Sequence, residues 1–533
     1  MEKSKSLGQV FTPDDIIEKI LTEAGYFGDI LNKTILEPSF GDGRFIKKIL
    51  HRLITYCRFK HMSNEDIAKQ IENNVYGIEI DVKTYQQAKD DILEYIYSEI
   101  GMYPDINLYC EDTLVSYKHY SGFFDFVVGN PPYVRIQNIK DKTTLQDFYF
   151  TSKSAGDLYL AFFEVGIKML KPCSGKLAYI TPNSWMYNKA GEVMRDYVTG
   201  WPILRKIIDF GHRQIFNGFS TYTSITVLDT CCQGFFVDYE CGDVFIKKRY
   251  EDIWLNKRFC FAPVENMRVY REIEKISTDC LCQVRNGYAT LADSFFIENK
   301  DMPANEFTIP VCKSSTHTFT TCFYPYGKDG KIISIDVIKE NKELYQYLLD
   351  NQIKLNNRAL DKSSVWYGFG RSQAIKDTYK NKFAINTIVK TVGDIKLTEC
   401  SAGTGTYGGL YLITPYSKEV ILEILNSEQF FEYISYVGTK KQGGYWSFNS
   451  SQLSKYLNFI LLQEELIEGK RLFTECFNFV EPIRIVSKME DRAGIYYYCL
   501  TDDDCDAGFR LKDFGTTVFF TEAELRKHVK IEN

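Results

Sequence analysis

The chain has 533 residues, 44% of them apolar and 15% aromatic, which is too long for one ordinary domain and too apolar for disorder, so two or three packed domains are expected. No stretch reaches the roughly 18 to 20 uncharged apolar residues of a membrane span, and Met1-Glu2-Lys3-Ser4-Lys5 leads into Gly and Gln instead of an apolar signal core, which predicts a soluble, unsecreted, cytoplasmic protein. A formal charge of −6 argues against a protein that coats nucleic acid non-specifically, yet permits a local basic cleft: residues 351–400 hold nine Lys/Arg against four Asp/Glu, whereas residues 1–100 hold thirteen against seventeen.

From Leu31 to about Leu228 short β-rich runs alternate with amphipathic helical segments, the pattern of a parallel sheet covered on both faces. The predicted strands are 34–36, 75–78, 106–109, 124–128, 176–180 and 204–208. The helical patterns fall at 44–56, 82–100, 158–170 and 189–199. Past Leu228 the segments become Gly-rich and aromatic-rich, with helical patterns returning only at 419–425 and 427–437. The expected organisation is a first domain over 1–230, a linker over 231–261, a second domain over 262–486 and a small unit over 487–533 that carries the acidic run Asp502-Asp503-Asp504. The fifteen cysteines are scattered, mostly in apolar runs, and histidine is rare; buried free thiols in a reducing cytosol are expected, and no metal site.

Four segments carry chemistry. Glu37-Pro38-Ser39-Phe40-Gly41-Asp42-Gly43 runs from a strand into a turn where Gly41 and Gly43 let backbone approach a ligand, at the carboxyl end of the first strand where open α/β sheets bind ligands. Glu79 ends the second strand, where such folds grip ribose hydroxyls, with Ile80 beside it. Asp112 follows the third strand and could accept from an adenine amino group, although both acids could equally cap helices. Asn130-Pro131-Pro132-Tyr133 ends a buried strand with a rigid loop whose carbonyls stay free to accept, followed by an aromatic ring. That loop suits a planar, amino-bearing ring: Asn130 and the Pro131 carbonyl accept its two N–H bonds while Tyr133 covers its face.

Asn130-Pro131-Pro132-Tyr133 resembles the catalytic motif of S-adenosylmethionine-dependent N6-adenine DNA methyltransferases. Gly8-Gln9-Val10-Phe11-Thr12-Pro13 resembles their N-terminal cofactor motif and 37–43 the motif after their first strand; Glu79, Asp112, 157–162, 180–185 and 215–223 follow in matching order, that of the gamma group. Segments 284–290, 366–373 and 443–448 look like parts of the target-recognition domain of Eco57I-type methylases.

The resemblance implies a Rossmann-like class I α/β methyltransferase domain, with a mixed, mostly parallel seven-stranded sheet, followed by an α+β target-recognition domain. It implies S-adenosyl-L-methionine as cofactor, held by Thr12, Glu37, Pro38, Gly41 and Gly43, by Glu79 at the ribose, and by Asp112, Ile80 and Phe162 at the adenine, with Asn130 at the methyl group. The target adenine would flip out of the duplex onto Tyr133, with Phe216 on its other face, or else Phe219 or Tyr222, any of which could be core. Arg285, Arg358, Arg371, Lys440 and Lys441 are the candidate phosphate or guanine contacts.

The expected partners are double-stranded DNA and a separate cognate restriction endonuclease, or none, since the cofactor motif stands at the start of the sequence. Competing readings are an N-methyltransferase of RNA or of protein glutamine, which can use a similar loop, and a non-catalytic DNA-binding specificity component.

Overall fold

The computed structural model describes residues 12–139, 143–152, 156–216, 221–231, 234–278, 281–362 and 364–465, together with strands at 471–474, 481–491, 494–501, 520–521 and 529–530. The chain divides into two compact units, 1–267 and 268–533.

The first unit is built on one sheet of nine strands: β1 (Ile35–Glu37), β2 (Val75–Glu79), β3 (Asn107–Cys110), β4 (Phe126–Gly129), β5 (Lys176–Pro182), β6 (Leu204–Asp209), β7 (Thr223–Asp229), β8 (Phe236–Cys241) and β9 (Val244–Arg249). Their order is β3-β2-β1-β4-β5-β7-β6-β8-β9. The five strands from β3 to β5 run parallel, β7 runs antiparallel between β5 and β6, and β8 lies parallel to β6 before turning back into β9.

Three points differ from the sequence expectation of the sheet and the domain bounds. The sheet has nine strands where seven were expected, and the expected linker 231–261 holds the hairpin β8–β9, which pairs in register onto β6. The end of the strand–helix alternation at Leu228, which set that linker, marks here the change from crossover helices to a hairpin that needs none. The expected boundary at 486 also falls inside a strand, Glu481–Asp491, of a five-stranded sheet that spans 471–530; Asp502-Asp503-Asp504 lies outside the described residues.

Period-two alternation distributes the sheet's side chains between two cores. Ile35, Phe126, Val128, Ala178, Ile180 and Ile225 face one side. Leu36, Val127, Leu177, Tyr179, Ile207 and Leu228 face the other. The first face is covered by α1 (Asp14–Ala24), α2 (Arg44–Phe59), α3 (Asn64–Asn74) and α4 (Val82–Ile100); the second by α5 (Tyr159–Met169) and α6 (Glu192–Gly200). Helix α2 shows why these segments are helical: Phe45, Ile46, Ile49, Leu50, Leu53, Ile54 and Cys57 recur at helical spacing and are all buried. Its entry residue Gly43 sits at φ 80°, and a Cβ there would lie 2.9 Å from Ile92 Cδ1 of α4, so only glycine lets the turn approach that helix. Helix α3 was not expected from the sequence; Ser63 caps it by accepting the Asp66 N–H at 3.2 Å.

The second unit holds a four-stranded sheet (strands 283–286, 410–413, 382–385 and 397–400 in spatial order), a three-stranded sheet (318–323, 308–313 and 405–407), and a smaller one formed by Ile388–Val389, Tyr445–Ser447 and Thr439–Lys441. Its core is rich in aromatic rings, among them Tyr288, Phe296, Tyr324, Phe369 and Tyr411.

Candidate active site

The carboxyl ends of β1 to β4 open into one cleft of about 370 Å³. Pro38 after β1, Glu79 and Ile80 at the end of β2, Asp112 after β3, and Asn130 and Pro132 after β4 line it, with Phe162 of α5 as a further wall. Chain order had scattered these residues over 125 positions, from 38 to 162; parallel strands bring them together because each crossover returns the chain to the same edge.

Glu79 organises the floor. Its Oε2 accepts the Gly41 N–H at 3.0 Å and its Oε1 the Asp81 N–H at 2.9 Å, so one carboxylate joins the turn after β1 to the turn after β2. Burial raises its pKa, against the lowering effect of those two N–H donors. Asp112 uses one oxygen as a cap, accepting the Leu114 N–H at 2.9 Å at the start of the short helical turn Thr113–Ser116, and it also lines the cleft. Ile80 is 57% exposed at the cleft's edge, an apolar side chain in the open beside a carboxylate.

Glu37 was expected against the cofactor. It is instead 1% exposed beneath the Asn130-Pro131-Pro132-Tyr133 loop, and the Asn130 backbone N–H donates to it. The reason is strand alternation: Glu37 falls in the side-chain row of Ile35, which faces the α1–α4 core, away from the row of Leu36. Burial holds its carboxyl well above the usual glutamate range. Gly41 and Gly43 contribute backbone geometry, the first through its N–H to Glu79 and the second as the entry to α2.

The Asn130-Pro131-Pro132-Tyr133 loop is anchored at both ends. Asn130 Nδ2 donates to Thr12 Oγ1 at 3.0 Å, and the Tyr133 hydroxyl donates to the Ile180 carbonyl at 3.0 Å. Beyond the loop, Ile136 N–H donates to Gly156 O at 3.0 Å and Leu158 N–H to Val134 O at 2.8 Å, which leads the chain directly into α5 and sets Phe162 at the cleft. Val134, Asn138, Ile139 and Leu145 from this segment also line the cleft. They lie between motifs, and the three-residue spacing of Ile136 and Ile139 was the one available signal.

Because β7 is antiparallel to β5 with Thr223 opposite Pro182, the segment before β7 lies at the same sheet edge as the loop. Phe216 accordingly meets Tyr133, with ring centroids 6.2 Å apart at 65°. The contact is edge-on and Phe216 is buried, so the rings as they stand pack on each other and do not form two parallel walls. Tyr222 is also buried, and Phe219 lies outside the described residues, as do Gly8 to Phe11.

In the second unit the three arginines have internal partners. Arg285 pairs with the buried Asp377 at 3.0 Å. Arg358 donates to the carbonyls of Leu355, Thr290, Trp366 and Gly368 at 2.6 to 3.0 Å and lies over the Phe296 ring. Arg371 pairs with Asp361 at 3.1 Å and donates to the Ala359 carbonyl. Lys440 and Lys441 stand instead on a β-hairpin.

A mostly parallel sheet with an antiparallel strand inserted beside its last parallel member, and a cleft at the strand ends floored by an acidic residue, defines a class I methyltransferase domain. The residues fit the cofactor of that class, S-adenosyl-L-methionine: a carboxylate held in place by two N–H donors suits ribose hydroxyls, and Ile80 with Phe162 offers apolar cover to a purine. Residues 47–216 match the Eco57I restriction-modification methylase family. The Type II methyltransferase M.BstVI of Geobacillus stearothermophilus is 25% identical over 419 residues, 68% of this chain and 73% of that protein. M.PaeR7I of Pseudomonas aeruginosa is 28% identical over 231 residues, 42% of this chain and 40% of its own length. In fold alone, the Type IIL restriction-modification enzyme MmeI, solved in complex with DNA, matches with a TM-score of 0.54 at 13% identity, over 85% of this chain and 69% of that one. Over residues 47–216 the chain is similar to the Eco57I-type methylases, and with its relatives this supports a site-specific DNA methyltransferase that uses S-adenosyl-L-methionine.

Proposed function

We propose that this enzyme methylates N6 of an adenine flipped out of duplex DNA, within a restriction-modification system whose endonuclease, if present, is a separate chain. The observation that carries the reading is the anchored Asn130 amide at the mouth of the cleft. With Nδ2 committed to Thr12, the amide is oriented so that Oδ1 remains the acceptor. The Pro131 carbonyl is held by a loop with two fixed φ angles.

Adenine N6 is a weak nucleophile because its lone pair is delocalised into the ring. Two acceptors on its amino protons localise that pair and aim it, so that orientation and electrostatics supply the catalysis and no general base of shifted pKa is needed before attack. Bound cofactor supplies an electrophilic methyl group on a sulfonium. Glu79 would hold its ribose, Ile80 and Phe162 its adenine, and Asp112 the adenine amino group through the oxygen not used in capping. Tyr133 would cover one face of the flipped base, and Phe216 would have to turn from its edge-on packing to cover the other. A flipped base costs a few kcal/mol of unstacking, which such cover offsets.

The test is incubation with labelled cofactor and unmethylated DNA, with RNA and protein as parallel acceptors, followed by digestion to nucleosides. Label in N6-methyladenine from DNA supports the reading. Label confined to RNA or protein overturns it in favour of the rival acceptors, and DNA binding without turnover favours a specificity component. Asn130→Ala should abolish transfer while cofactor binding persists.

A further inference from the structure

The arginines expected to touch DNA are held by internal partners, which leaves open where the second unit meets the duplex. Its small sheet of Ile388–Val389, Tyr445–Ser447 and Thr439–Lys441 has an uneven pair of faces. Val389, Trp446 and Lys440 are in register across the three strands, and Val389 is buried, so this row faces the protein. Ile388, Ser447 and Thr439 form the opposite row. Two residues further along the hairpin, Lys441 pairs with Tyr445 on that same outer row. Ile388 is 50% and Tyr445 40% exposed.

Two lysines reach this outer surface: Lys441 is exposed on the outer row, and Lys390, exposed just past the first strand, has its Nζ 5.3 Å from the Tyr445 ring centroid, which positions its ammonium group. Lys440 belongs to the inner row, where its Nζ lies 5.8 Å from the Trp446 ring. The nearby Asp394 is already engaged by its own loop, accepting the Lys390 and Thr391 backbone N–H groups at 2.6 and 2.8 Å. The hairpin tip is Gln442-Gly443-Gly444, exposed or half-buried, with both glycines at φ 81° and 82°. A tip without Cβ atoms there is narrow, and Gln442 is the one side chain it projects.

We infer that the hairpin 439–447, with Lys390 beside it, is a DNA-contacting finger: Lys390 and Lys441 meet phosphates, and Gln442 meets a base edge in the groove. The inference rests on the DNA-methyltransferase reading and names the surface through which the duplex is held. The chemistry is that of duplex DNA, because two exposed lysines on one outer surface, one of them held over the Tyr445 ring, suit successive phosphates, and a glutamine on a narrow tip can pair with an adenine edge.

The experiment measures DNA affinity of the full chain by fluorescence anisotropy across a salt series, with cofactor binding and methylation followed in parallel. Because each phosphate contact contributes about 0.9 to the slope of log K against log salt, Lys390→Gln/Lys441→Gln should lower the slope by about 2 with cofactor binding unchanged. Gln442→Ala should leave the slope unchanged and relax the choice of site when methylated positions are mapped. Wild-type methylation of DNA together with an unaltered slope in the double variant and unaltered site choice in Gln442→Ala would overturn the finger while leaving the methyltransferase reading intact. Wild-type protein that neither binds nor methylates DNA would overturn both.

Discussion

Gly129 is the last residue of β4 and the one before Asn130, the proposed catalytic residue, and its replacement by alanine probes how the loop is held. Its φ of 153° is a conformation that side-chain-bearing residues rarely adopt, and a Cβ placed there would lie 2.5 Å from Glu37 Oε1, 3.3 Å from Glu37 Cδ and 3.7 Å from Pro38 Cδ. Ordinary contact begins near 3.4 Å, so the carboxylate or the strand end must retreat by about 0.9 Å. Glu37 is 1% exposed and packed in the core, so it has little room to turn aside. Overpacking costs about 1 to 3 kcal/mol, and the backbone strain adds about 1 kcal/mol or more. The catalytic effect should exceed the stability effect, because Glu37 accepts the Asn130 N–H and whatever moves one moves the other. A displacement approaching 1 Å at a reacting centre costs about 100-fold in rate. Single-turnover methylation with saturating cofactor would read that loss, and chemical denaturation the stability. Gly129→Ala with wild-type rate and stability would refute the claim that Glu37 holds the loop from below.

Two further outcomes follow from the site and from the second unit. Burial raises the pKa of Glu79, so its charged form should be lost on acidification at a higher pH than for an ordinary glutamate; cofactor affinity, measured by calorimetry, should fall as pH drops through that raised value, and Glu79→Gln should bind weakly with that acid limb abolished. The same shift has a stability sign: a carboxyl whose folded pKa lies above its unfolded one favours folding at pH below the unfolded value, and that contribution is lost as pH rises through the folded pKa. Arg358→Lys leaves carbonyls in the second unit without their fork of donors and should cost about 3 kcal/mol of stability, seen in urea unfolding, while the salt dependence of DNA binding stays as in the wild type; a lowered salt slope would return Arg358 to the DNA surface.

The strand ends of the catalytic unit could be read in the sequence because each is a buried apolar run that stops at a polar or glycine turn, and the cleft follows from parallel order alone. Glu79, Asp112 and Asn130 were therefore placed at the cleft before any coordinates. Glu37 was not, although its strand contained the answer: in Ile35-Leu36-Glu37 the acid shares the row of Ile35, and that row is core. Residue type misled in the second unit. Arginine is the natural ligand of phosphate and guanine, but Arg358 fills a ring of four carbonyls, and nothing in the neighbouring letters distinguishes a structural guanidinium from a free one. The hairpin β8–β9 was taken for a linker because the strand–helix alternation stops at Leu228, and a hairpin added to a sheet edge brings no helix to announce it.

That hairpin changes what the catalytic sheet presents at its margin. Without it the margin would be β6, whose Leu204, Ile207 and Ile208 are apolar and whose main-chain groups would offer themselves to any passing extended chain. With it the outermost strand is Val244–Arg249, in which Lys247 and Arg249 stand outward. Exposed Val244 and Phe245 share that strand, and Arg249 is paired with Glu251 and Asp252, so the opposition to a second molecule continuing the sheet there rests chiefly on Lys247.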